Sequence, residues 1–299
     1  MLLASHAPLD QSDKKGVTAL LAACFHGQLE VVKQLLSAGA SPRHTEDGIT
    51  PLMAASLSGH APIVDYLLTL PAGAISEPST DVQHNAQALA NPPWDGQSNG
   101  ESTSARDVRP HNYTPLMCAC GKGHADIVSS LLKKRADTTV AVSGAFMNDG
   151  TKPGITALLL ACRAGNVSCV RALLQARCSP NEKDDEGTTA LMFASRNGHT
   201  DTTKALLQSG ARVDEAKSTG FNALMFAAKN GHEGALRAIL GASPTIDAAV
   251  KESRGKDAAR TKVGATALMF AAQVRSPVAR LTSHVVYGET LSRGMMRAN

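Results

Sequence analysis

Aromatic side chains are scarce in this chain, at 3% of residues, and Trp94 is its one tryptophan. Thick sandwich and barrel cores lean on large rings, so this scarcity argues for thin layers of closely approaching elements. Long apolar runs are missing too, since nothing approaches the roughly 18 residues of a membrane span. The opening MLLASHAPLD has a three-residue apolar start and no charged flank, short of the run of about 7–15 apolar residues in a secretory leader. Charge of one sign is also lacking. The net charge is +4 with 19% charged residues, too balanced to argue for nucleic acid, whose footprints are clustered and stronger. The cysteines Cys24, Cys118, Cys120, Cys162, Cys169 and Cys178 show no framework-like spacing. That pattern suits a reducing, intracellular compartment, cytoplasmic or nuclear.

What the chain has is repetition. GVTALLAACFHG begins at Gly16, GITPLMAASLSGH at Gly48, NYTPLMCACGKGH at Asn112 and GITALLLACRAGN at Gly154. GTTALMFASRNGH follows from Gly187, GFNALMFAAKNGH from Gly220 and GATALMFAAQVRS from Gly264. The starts at 154, 187 and 220 are 33 apart, whereas gaps of 64, 42 and 44 elsewhere imply insertions between intact units. Within one unit, Thr50 can cap a helix, Pro51 fits its first turn, and Gly59 ends it. A second helix then carries Ile63, Val64, Leu67 and Leu68. Each helix pair is too short to stand alone, so neighbouring pairs must stack. Ala23, Ala55, Ala119, Ala161, Ala194, Ala227 and Ala271 recur at one position and permit the close approach that larger residues would obstruct.

These segments resemble the ankyrin repeat family in its G-x-T-P-L-x-x-A…G-H…L-L…G-A pattern. The resemblance implies an all-α solenoid of about seven stacked helix-turn-helix units with β-turn tips and three loop insertions. One departure is uniform: where the family carries a His after T-P-L, this chain has Leu21, Met53, Met117, Leu159, Met192, Met225 and Met269. Hydrophobic packing must then replace the Thr–His contact.

Residues 1–15 read as a flexible lead-in, 16–287 as the repeat domain, and 288–299 as a flexible tail. The insertion at about 70–110 is rich in Pro, Ser, Asn and Gly without periodicity, and reads as a disordered loop. Shorter insertions fall at about 138–151 and 241–261.

The family resemblance implies a partner protein held on the concave, fingertip-lined face. By register, the residues after the repeat glycine are Val17, Ile49, Tyr113, Ile155, Thr188, Phe221 and Ala265. Their apolar members are expected as exposed anchors, because turns ordinarily favour polar residues. A second row ends the first helices and includes Phe25, Leu57, Lys122, Arg163, Arg196 and Lys229. Arg163, Arg196 and Lys229 occupy one register in consecutive units and form a basic ladder, which points to a partner with an acidic stretch. Phe25 and Leu57 make the other end of the row apolar. The acidic tips Glu46-Asp47 and Asp184-Asp185-Glu186 alternate with the ladder and would repel phosphates, against a nucleic-acid role.

The remaining chemistry is sparse. His60, His124, His199 and His232 recur one repeat apart, too far for shared metal coordination, and are expected to bond loop backbone. Cys118-x-Cys120 lacks zinc-knuckle spacing, and no phosphate loop or nucleophile–base pair stands out. The expectation is a monomeric scaffold or adaptor without cofactor, metal or membrane contact, and not an enzyme. The alternative is the substrate-targeting module of a longer enzyme such as a ubiquitin ligase or acyltransferase.

Overall fold

The computed structural model describes residues 9–13, 16–42, 49–70, 113–142 and 153–242, together with Thr266, Ala267 and Met269. The long insertion, most of the 241–261 insertion, and nearly all of the seventh unit therefore lie outside the described residues. Six helix pairs are described: α1 (Ala19–Phe25) with α2 (Leu29–Ser37), α3 (Pro51–Ser58) with α4 (Ala61–Leu67), and α5 (Pro115–Lys122) with α6 (Ala125–Lys133). They are followed by α7 (Ala157–Ala164) with α8 (Val167–Gln175), α9 (Ala190–Arg196) with α10 (Thr200–Gln208), and α11 (Ala223–Lys229) with α12 (Glu233–Leu240). The chain divides into two compact units, 1–161 and 162–299.

In the first unit α1, α3 and α5 stack in order, with α2, α4 and α6 stacking behind them. In the second, α9 packs on α11, and α10 packs between α8 and α12. The first helices start the same way each time. The side chains of Thr18, Thr50, Thr114, Thr156 and Thr189 accept a hydrogen bond from the backbone N–H three residues on, at 3.1–3.4 Å. Asn222 does the same for Met225 at 2.9 Å. One orphan N–H of each helix start is thereby satisfied.

Six of the seven residues replacing the family's His are interior: Leu21, Met53, Met117, Leu159, Met192 and Met225 are buried, whereas Met269 is 55% exposed. Each buried one contributes about 1.5–3 kcal/mol by leaving water. The recurrent alanines, from Ala23 to Ala227, are buried beside them and let the helices approach. All six cysteines are free and buried, as small core residues.

Four of the six described second helices end in a common left-handed turn. Ala40, Ala136, Cys178 and Ala211 donate to the carbonyls of Leu35, Leu131, Leu173 and Leu206 at 3.0–3.1 Å. The residue before each donor has positive φ: Gly39 at 96°, Gly210 at 85°, but Arg135 at 61° and Arg177 at 68°. Two arginines thus stand in a conformation that costs an L-residue roughly 1 kcal/mol or more.

Two carboxylates that precede Gly16 bond the first repeat. Asp10 Oδ1 accepts from Ser41 N at 2.8 Å, and Asp13 Oδ1 from Val17 N at 3.0 Å. Asp13 N also donates to Val17 O at 3.0 Å, so side chain and backbone together close this turn.

Candidate partner-binding surface

The tips come first, because the sequence pointed to them. Ile49, Tyr113, Ile155 and Phe221 are 6%, 8%, 1% and 7% exposed. The expectation of a row of exposed anchors is corrected: these side chains pack inward. The cause is the backbone of the tip. Val142 N donates to Ile155 O at 2.9 Å and Lys217 N to Phe221 O at 2.9 Å, and isolated antiparallel bridges join Ala141 to Thr156 and Ala216 to Asn222. A hairpin closed in this way turns the residue after the glycine over the start of its own helix. Thr188 is likewise buried and Val17 half-buried.

The acidic tip of the fifth unit is also consumed internally. Asp184 is buried, and its Oδ1 accepts from Thr188 N at 2.6 Å and Glu186 N at 3.0 Å. Glu186 pairs with Lys217 at 2.8 Å. Nearby, Glu215 bridges Lys183 at 2.7 Å and Arg212 at 3.2 Å. Hydrogen bonds from Lys183, and then from Arg212, hold the Glu215 carboxyl below the usual glutamate range. Asp184 thus closes its own tip, while Glu186 and Glu215 tie one tip to the next.

The ends of the first helices are different. Lys122 and Arg196 are exposed, and Arg163 and Lys229 are half-buried. Within the first unit, Phe25 is half-buried and Leu57 buried at the ends of their own first helices. In the second unit the ladder is held at two levels. The carbonyl of Arg163 accepts from Asn197 Nδ2 at 2.7 Å and from His199 Nε2 at 3.0 Å. The carbonyl of Arg196 accepts from Asn230 Nδ2 at 2.7 Å and His232 Nε2 at 3.0 Å. Arg163 and Arg196 are therefore fastened through their backbone carbonyls to the next repeat.

Their side chains are organised by aromatic rings. The Arg196 guanidinium carbon lies 5.9 Å from the centroid of Phe226, and Lys229 Nζ lies 5.4 Å from that of Phe221. The two rings meet at 5.2 Å with a 36° tilt. Helical side chains lean toward the N-terminus of their helix, which carries both cations back over this floor. Such contacts contribute about 0.5–1 kcal/mol at exposed sites and restrict the rotamers of long side chains. Phe193 and Phe226 are buried, so they pack between layers, while Phe270 lies outside the described residues. Asn197, Asn230 and the floor beneath the cations were not assigned these roles from sequence. The shared R-N-G-H and K-N-G-H register was their visible signal.

The recurrent histidines reach farther than their own loop. His60 Nε2 lies 2.9 Å from Phe25 O and His124 Nε2 3.2 Å from Leu57 O, as His199 and His232 do from the arginine carbonyls. A carbonyl can only accept, so Nε2 donates in each case. Each ring covers a left-handed glycine of the preceding repeat, where a Cβ on Gly27 would meet His60 at 2.6 Å. Among the described residues no group of His, Cys, Asp or Glu is placed to hold a metal ion, and no helix is long and apolar enough to cross a membrane.

Comparison with known proteins places this architecture. The family model described as ankyrin repeats (3 copies) matches residues 1–78, 97–184, 139–216 and 158–252. The crystal structure of the human ASB11 ankyrin repeat domain is similar, with a TM-score of 0.64 and 20% identity over 90% of this chain and 98% of that one. No curated protein matches. The repeated capped helix pairs, their inter-repeat histidine bonds and the family match over most of its length make this chain a member of the ankyrin repeat family.

Proposed function

We propose that the chain is a scaffold or adaptor that binds a partner protein along the concave, fingertip-lined face, with an acidic stretch of the partner lying on Arg163, Arg196 and Lys229. Ankyrin repeats generally mediate protein–protein interaction, and the fold is typically a non-catalytic module. The observation that carries the finer reading is the ladder: three cations in one register, two of them fastened by backbone carbonyl to the following repeat and two laid over aromatic rings. Fixing a long basic side chain beforehand removes about 0.5–1.5 kcal/mol of ordering cost on binding. Carboxylates that could have competed for the ladder are engaged at the tips. Phe221 supports this surface from beneath as packing, whereas Ile49, Tyr113 and Ile155 are buried at the tips of their own repeats and Lys122 is exposed at the end of its own first helix.

The test is cross-linking capture from cells with the whole chain and with a variant carrying Arg163→Glu, Arg196→Glu and Lys229→Glu. Circular dichroism and thermal unfolding establish that the variant is folded. Loss of the captured partner is the expected result. A folded variant that captures the same partner in the same amount removes the ladder from the interface.

A further inference from the structure

Arg163, Arg196 and Lys229 recur every 33 residues at the end of a first helix, so their separation is the separation of stacked helices. Packed helix axes lie about 8–10 Å apart. An extended polypeptide in the polyproline II conformation advances about 3.1 Å per residue with three residues per turn, so every third side chain returns to the same face after nearly the same length. Neighbouring rungs are joined by the Asn197 and His199 bonds to Arg163 O and the Asn230 and His232 bonds to Arg196 O. The spacing is thus set by backbone hydrogen bonds, not by the reach of flexible side chains.

From this commensurability we infer that the ladder reads an extended acidic peptide whose carboxylates fall at every third residue, one for each of Arg163, Arg196 and Lys229. The inference rests on the acidic-partner reading above and adds the partner's register. Carboxylates on alternate residues, about 7 Å apart, would drift out of step by the third rung. A helical segment would carry acids spaced three or four residues apart only about 5 Å along its axis, and would meet at most every second rung. The tilt of Phe221 against Phe226 beneath Lys229 and Arg196 holds both cation heads at defined places above the floor. A spaced ligand therefore gains over an equally charged unspaced one.

The experiment is fluorescence anisotropy on the whole chain with two labelled synthetic peptides of one composition. One has glutamate at every third position, and the other has the same glutamates on alternate residues in one block. The every-third peptide is expected to bind about tenfold more tightly at physiological salt, the size of one or two well-placed exposed ion pairs. It is expected to lose that advantage in the folded triple variant described above. Equal affinity of the two peptides for the native chain would overturn the register while leaving an acidic partner in place. Binding of neither peptide, or binding unchanged by the triple variant, would overturn both readings. Tighter binding of a single-stranded oligothymidylate, competing with the every-third peptide and lost in the triple variant, would replace the peptide with a nucleic acid.

Discussion

The Nε2 of His199 stands 3.0 Å from the backbone carbonyl of Arg163, and the same ring lies over Gly165, whose φ is 77°. One side chain thus satisfies a carbonyl at the end of one helix and occupies the space that only a glycine leaves open. The arrangement recurs for His232 over Gly198, where a Cβ would meet the ring at 2.5 Å.

This relationship separates two kinds of glycine. Gly198→Ala is expected to cost about 2–3 kcal/mol, because a left-handed backbone and a displaced ring add. Gly210→Ala, where nothing stands within 4 Å of the new carbon, should cost only about 1 kcal/mol. Urea unfolding measures both. In a Gly198→Ala, His232→Ala double variant the losses should sum to less than the singles, since the clash is removed once. Strict additivity would show that the ring and the glycine are independent.

The left-handed arginines carry the opposite sign. Arg177→Gly is expected to stabilise the chain by about 0.5–1 kcal/mol, the backbone strain relieved less the added freedom of the unfolded glycine. Thermal unfolding should show a rise in midpoint. A fall would mean that the Arg177 side chain makes a compensating contact.

Helix caps give a third measurement. Thr189→Ala removes the acceptor for Met192 N and should cost about 1 kcal/mol, with Thr189→Ser retaining most of it. Equal losses in the two variants would shift the explanation from the hydroxyl to the methyl group and its packing.

Acid should weaken the second unit in a way traceable to Glu215. Its carboxyl is held below the ordinary glutamate range by Lys183 and then Arg212. A depressed carboxylate stabilises the fold above the unfolded glutamate value, about 4.3, and the contribution is lost as pH falls through the lower folded value. Lys183 and Arg212 are themselves substantially exposed, so solvent keeps the effect small. Glu215→Gln should flatten the stability–pH curve below about pH 4.5 and leave its shape near neutrality unchanged. A native and a variant curve that stay parallel through that window would remove the pairing from the acid response.

The cysteines should be silent in the folded chain. Burial pushes the Cys24 thiol up to about 12 and also raises Cys118 and Cys162 strongly. Iodoacetamide at mildly alkaline pH is expected to label them only as fast as the chain opens, and completely in denaturant. Rapid native labelling of Cys118 or Cys162, read by mass spectrometry, would contradict the packed layer.

What the sequence determined by itself was everything local and periodic. Thr50, Pro51 and Gly59 mark a helix because a cap, a fixed φ and a left-handed stop act over a few residues. The 33-residue recurrence places the same devices in register from Gly154 to Gly220. The basic register of Arg163, Arg196 and Lys229 was legible for the same reason. Tertiary structure alone decided which way side chains face once layers stack. Tyr113 after Asn112 and Phe221 after Gly220 look exposed at a turn and are instead covered, while Asp184 looks like surface charge and closes its own hairpin. It also decided that His199 bonds the carbonyl of Arg163 rather than its own loop. Burial and long-range hydrogen bonds depend on atoms from another repeat, whose distance in space a periodic pattern does not specify.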